Sequence, residues 1–120
     1  LKSTVLVPIP LHPNKLKERG YNQSLELANV VGGSLEIPVR EVLLKTRNVD
    51  MRTLNWEERR DAVEGLYSLR DNAQGQIHGQ KALIIDDVVT TGFTMSACAS
   101  LLNDAGAESV YALVAGRAVI

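Results

Sequence analysis

The thirteen residues at 82–94, ALIIDDVVTTGFT, carry the side chains best suited to chemistry in this chain. Four apolar residues run into two carboxylates, Asp86 and Asp87, as at the end of a buried strand. Where a strand bends into a loop, both carboxylates can turn toward one ligand, accept hydrogen bonds from vicinal sugar hydroxyls, or hold metal-bound waters. Thr90, Thr91 and Thr94 follow with hydroxyl donors, and Gly92 permits backbone geometry barred to other residues. A helix starting there would aim free N–H groups and its positive end at the same spot, which suits a monophosphate. Taken singly, an Asp-Asp pair can be a solvated strand end and a Thr-Thr-Gly a helix cap. Their conjunction after a buried strand is what makes the reading specific: a phosphorylated sugar bound together with Mg²⁺.

Two other phosphate motifs are missing. There is neither a GxxxxGK[ST] loop nor a GxGxxG turn, which argues against a P-loop nucleotidase and a dinucleotide site. Cations that could face an anionic ligand cluster in two places: Lys15, Lys17 and Arg19 after the first apolar run, and Arg47, Arg52, Arg59 and Arg60 within a charged stretch. The four arginines either close over the ligand as a lid or pair on the surface with Asp50, Glu57, Glu58 and Asp61, the second reading being preferred for at least two of them. His12 and His78 read as structural or surface histidines, and Cys98 as a small buried hydrophobe.

These residues need a scaffold, and Gly and Pro punctuate apolar stretches at intervals that suggest alternating strands and helices. Residues 4–10 (TVLVPIP) predict a buried strand stopped by Pro8, Pro10 and Pro13, followed by a rigid loop over 12–20. Asn22 caps a helix bearing Leu27, Ala28, Val31 and Leu35, with Gly32-Gly33 marking its end. A short strand is expected at 37–44, a mobile loop with one helical turn near 57–60 across 46–61, a strand at 65–69 and a turn across 71–80. Residues 81–87 predict a central parallel strand buried on both faces. A helix then carries Cys98, Leu101, Leu102 and Ala105, stops at Gly106, and leads into a last strand at 109–115. Strand, helix, strand in about thirty residues is a βαβ unit, hence an α/β fold with a parallel central sheet flanked by helices in three layers.

With 120 residues, the chain has room for a single core and a single domain. A net charge of −1 excludes a strongly basic nucleic-acid coat, yet the halves differ: residues 1–60 carry +3 and residues 61–120 carry −4. Such a split can place basic and acidic walls on either side of a cleft. One cysteine allows no internal disulfide, and no apolar run approaches the roughly 20 residues of a membrane span, so a cytoplasmic protein is expected. The chain begins at Leu1 rather than methionine, which suggests a domain cut from a longer protein.

The segment 82–94 resembles the signature of type I phosphoribosyltransferases, which bind phosphoribosyl pyrophosphate (PRPP). A second block, VPIPLH at 7–12 followed by RGYNQ at 19–23, resembles ComF-type competence proteins, and with GLY at 65–67 and AGA at 105–107 the likeness spans nearly the whole chain. The resemblance implies that Asp86 and Asp87 contact the ribose hydroxyls and that Val88, Val89, Thr90, Thr91, Gly92, Phe93 and Thr94 wrap the 5-phosphate. It implies a pyrophosphate loop at 11–15, with Leu11, His12, Lys15 and Arg19 as its residues and Lys15 and Arg19 as its charged donors. It further implies Mg²⁺ bound through PRPP and, by water, Asp86 and Asp87; a small-molecule acceptor; a homodimer; and single-stranded DNA or the competence machinery as partners. An amidophosphoribosyltransferase-like use of ammonia is a further option. Two features depart from the pattern: Phe93 replaces a small residue, and Asn48-Val49-Asp50-Met51 stands where relatives carry TxxQ. The cysteine-rich region that precedes this domain in such proteins is not in this sequence.

Overall fold

The computed structural model describes residues 3–89 and 92–117, with only the backbone of Val88, Val89 and Arg117. Its centre is a parallel sheet of three strands in the order β1-β4-β5, where β1 is Thr4–Pro8, β4 is Lys81–Val89 and β5 is Ser109–Arg117. The registers run Thr4↔Lys81 to Pro8↔Ile85 on one side of β4, and Lys81↔Ser109 to Val89↔Arg117 on the other. Val39 adds a single parallel bridge to Leu6 on the outer side of β1.

Period-two alternation splits this sheet between two apolar layers. Val5, Val7, Ala82 and Ile84 face α5 (Phe93–Asp104) through Cys98 and Leu102. Leu6 and Ile85 face the opposite way, onto Ala28, Leu27 and Val31 of α2 (Gln23–Leu35). The expected three-layer α/β fold is therefore present, and β4 is its buried centre: Ala82, Ile84 and Ile85 are all fully enclosed. Among the described residues no helix is long and apolar enough to cross a membrane.

Several local expectations are corrected. The stretch 12–20 is a helix, α1 (Pro13–Arg19), because Pro13 sits at its first turn, where a missing N–H costs nothing, and Gly20 closes it at φ 90°. Helix α2 runs through Gly32-Gly33 to Leu35; Gly32 is buried against β1, where a Cβ would stand 2.7 Å from the Ile37 carbonyl oxygen. The strand expected at 37–44 is only the Val39 bridge, since Pro38 has no N–H to give and only its carbonyl serves Leu6. Residues Leu43–Lys45 instead form β2, which pairs antiparallel with β3 (Tyr67–Leu69) in a separate sheet packed over the α5 face. Between them lie a 3₁₀ turn, Met51–Thr53, and α3, Trp56–Val63, so the helical turn expected near 57–60 is present and extends to a two-turn helix. The N-x-x-E of Asn55 and Glu58 closes a reciprocal capping box at 2.9 Å on each side, which accounts for that helix. The turn at 71–80 contains α4 (Gln74–Ile77), which buries Ile77.

Candidate active site

The topology dictates where a cleft opens. From β1 the chain leaves through α2 toward Val39 on one side, and from β4 it leaves through α5 toward β5 on the other, with the two helices on opposite faces. Ligands of open α/β sheets bind at such a reversal, beyond the carboxyl ends of the strands. Here β1 also stops early: Ile9 N–H still donates to the Ile85 carbonyl at 2.9 Å, but Pro10 has no donor, so β4 loses its neighbour beyond Ile85. Asp86 and Asp87 follow immediately, on the strand itself rather than in a loop, and both line the cavity that results.

Three walls surround the acids. One is the β1 exit, with Leu11 and, on α1, Lys15 and Arg19, four residues apart and so on one helical face. The second is the segment at 45–52 with Arg59 behind it, contributing Lys45, Asn48, Asp50 and Arg52. The third is the start of α5, represented by Gly92, Thr94 and Met95. Gly92 occupies the helix N-cap at φ 86°, and the start of α5 borders the cavity through Gly92, Thr94 and Met95.

Asp86 is only 8% exposed, and its Oδ1 accepts hydrogen bonds from the Asp87 N–H at 2.9 Å and the Ser24 hydroxyl at 3.4 Å. Burial first, then the hydrogen bond and negative charge of Asp87, push its carboxyl up to about 7. Ser24 is held there because Asn22 caps α2, accepting from the N–H groups of Ser24 and Leu25 while its own Nδ2 donates to the Ile9 carbonyl at 3.1 Å. The predicted Asn22 cap thus also ties α2 to the rim of the cavity. Burial keeps the Tyr67 phenol protonated beside Thr94 and pushes the Cys98 thiol up to about 12, consistent with an inert core cysteine.

Of the residues singled out in the sequence, the structure brings Asp86, Asp87, Gly92, Thr94, Leu11, Lys15, Arg19, Arg52 and Arg59 to one cavity. Thr90 and Thr91 lie outside the described residues, as do the side chains of Val88 and Val89. His12 does not line the cavity; its Nδ1 accepts from the Asn14 N–H at 3.2 Å and caps α1. Phe93 turns away from it onto Trp56, ring centroids 5.2 Å apart and edge to face. Arg47 donates to the carbonyls of Ala62 and Glu64, and Arg60 stacks over Trp56 at 5.3 Å, so neither faces the cavity. Sequence reasoning missed Lys45. Its ammonium donates to the Val49 carbonyl at 2.6 Å and sits 5.9 Å over the Tyr67 ring, and burial lowers its pKa despite Asp50 nearby. A lysine closing an apolar strand pair, Val42 to Leu44, was the available signal.

Comparison with known proteins decides the family. Residues 22–117 match the phosphoribosyl transferase domain. This chain belongs to that family. Over 94% of its length it is 28% identical to competence protein F of Haemophilus influenzae, of which it spans 50%. Over 96% it is 29% identical to the amidophosphoribosyltransferase of Saccharomyces cerevisiae, of which it spans 20%. The allosteric regulatory enzyme of purine biosynthesis superposes with a TM-score of 0.64 over 96% of this chain and 22% of that one, at 22% identity, a likeness of fold. The expected type I phosphoribosyltransferase fold is thereby shown, while the chain covers only half or less of these relatives' lengths.

Proposed function

We propose that this phosphoribosyltransferase domain binds PRPP and transfers its phosphoribosyl group to an acceptor with release of pyrophosphate. One observation carries the reading: a single cavity sets two carboxylates against Lys15, Arg19, Lys45 and Arg52, with Arg59 behind Arg52 and the start of α5 alongside. Asp86 and Asp87 accept the ribose hydroxyls, and the N–H groups from Gly92 onward with Thr94 take the 5-phosphate. The lone pair of the acceptor forms the new bond at C1 as the C1–O bond to pyrophosphate breaks, and the electron pair departs with the pyrophosphate oxygen. Holding both ends of PRPP fixes C1 for that displacement, and the cationic walls offset the charge growing on the leaving group.

Mg²⁺ fits this donor set only with help from the substrate. No group of three or more His, Cys, Asp or Glu side chains able to hold a metal exists among the described residues, whereas two carboxylates plus substrate phosphates and water match the habit of Mg²⁺. Asp86 and Asp87 would hold it through water, and bound there it would supply positive charge to the pyrophosphate.

A second reading, a binding module that keeps the PRPP pocket without turnover, is favoured by the likeness to competence protein F and by Asn48 and Met51 at the cavity edge. Exposed Tyr21 and Trp56 beside basic residues would then serve single-stranded DNA. Calorimetry with Mg²⁺ and PRPP, followed by turnover assays with nucleobases, orotate and ammonia or other amines, separates the two. Binding with turnover supports the enzyme, binding without turnover the module, and no binding refutes both.

A further inference from the structure

Helix α3, WEERRDAV, reads as a solvent-facing helix, with five charged residues in eight, yet Arg59 on it is 2% exposed. Burying a guanidinium demands compensation, and none of the ion pairs among the described residues supplies it a carboxylate. Its partners are main-chain oxygens: Nε donates to the Met51 carbonyl at 2.7 Å and Nη2 to the Arg52 carbonyl at 3.4 Å. These are two consecutive carbonyls of the 3₁₀ turn at Met51–Thr53; that of Met51 also accepts the turn's own bond from the Leu54 N–H at 3.3 Å, so the guanidinium adds a second donor there and a donor to Arg52. Only the planar fork of arginine spans both; a lysine ammonium is a single point on a flexible stem.

We infer that Arg59 is a positioning residue that holds the Met51–Arg52 turn so that Arg52, on the second wall of the cavity, meets the pyrophosphate of the bound substrate. This inference rests on the phosphoribosyltransferase reading above. The anchor is itself fixed: the capping box of Asn55 and Glu58 starts α3, and Trp56 in its first turn packs on Phe93 of α5. Downstream of the anchor, the Asp50 carboxylate accepts from the Arg52 N–H at 3.0 Å and pairs with its Nε at 3.2 Å, which holds the Arg52 side chain near its own main chain at the cavity. Val49, Asp50, Met51 and Arg52 all line that wall, with Arg59 behind them. In this structure the segment forms a wall built around one buried cation.

The test uses the whole chain, with pyrophosphate plus Mg²⁺ and ribose 5-phosphate as separate probes. Arg59→Lys should weaken pyrophosphate binding about tenfold or more while leaving ribose 5-phosphate within about twofold, a split that general destabilisation does not produce. Added to Arg52→Gln it should cost nothing further, since it acts through Arg52. Equal weakening of both probes, additive losses, or an unchanged pyrophosphate affinity overturns the inference. Should Arg59→Lys not fold, the wild type still decides: the Arg59 Nε–H should give a slowly exchanging resonance in the free protein, and exchange as fast as that of exposed Arg60 overturns the anchor. A wild type that binds neither probe overturns the phosphoribosyltransferase reading instead, whatever Arg59 does.

Discussion

Asp86 holds its proton at a pH where an ordinary aspartate has lost it, because burial and the neighbouring Asp87 both disfavour a second negative charge. Its carboxyl titrates at about 7 in the folded protein, against about 3.9 for an unperturbed aspartate. Below the lower value both states are protonated; between the two only the folded state keeps the proton, so this group removes stability as pH rises from about 4 to about 7. Asp86→Asn should accordingly raise the unfolding free energy at pH 8 by on the order of 2 kcal/mol, with a matching rise in the thermal midpoint, and leave both unchanged at pH 4. The same variant should lose PRPP affinity, as a stability–function trade at a binding site does. Melting curves at the two pH values, without Mg²⁺, check the first half; no gain at pH 8 refutes it. Gly92 makes a different point. Among the described residues, its chain neighbours aside, nothing lies within 4 Å of where its Cβ would be, so a side chain there is opposed by the backbone at φ 86°. Gly92→Ala should cost about 1 kcal/mol and Gly92→Val more, both measurable by urea unfolding, and both should weaken 5-phosphate binding through the start of α5.

At the scale of elements, α3 and α5 meet where Trp56 touches Phe93, the residue after Gly92. Phe93, unusual by comparison with the phosphoribosyltransferase signature, has a physical role here: its ring packs on Trp56, away from the cavity. Trp56 is the sole tryptophan of the chain and about half exposed, so its emission reports on that contact directly. Saturating ribose 5-phosphate should shift Trp56 emission, and Phe93→Leu should abolish the shift while leaving the helical circular dichroism unchanged. An emission spectrum indifferent to the ligand would show that the phosphate end of the site and α3 respond independently.

For the molecule as a whole, the cleft exists because the chain turns opposite ways after β1 and β4, and that arrangement depends on how closely α2 lies on the sheet. Gly32 sets the distance: an added Cβ would meet the Ile37 carbonyl oxygen at 2.7 Å and Val39 Cγ2 at 3.1 Å. Gly32→Ala should therefore destabilise the fold by roughly 1–3 kcal/mol, despite the better helix propensity of alanine. Chemical denaturation reads the change, and a neutral or stabilising result would mean that α2 can lift off without loss. The division of charge between the halves of the chain also finds its place at this scale. The cations that face the cavity come from residues before 60 and its acid pair from residues after 80.

The acid pair after a buried strand, the helix-capping Asn22, the α/β order of elements and the absence of a rival phosphate motif were all legible in the sequence, because each depends on residues within about one turn or one strand of each other. Two further local signals stand in the sequence: Pro13 and Gly20 bracket α1, and Asn55-x-x-Glu58 announces α3. What the sequence could not reveal depends on pairs far apart along the chain. Lys45 joins the cavity because β2 pairs with β3, setting it opposite Tyr67. Arg59 is buried because two carbonyls from another turn converge on it, so only the tertiary structure separates it from its neighbour Arg60, identical in type and opposite in environment. The carboxylates were visible from their position at the end of an apolar run; the proton that Asp86 retains was not, since desolvation is a property of everything packed around a group and not of the residues beside it in the chain.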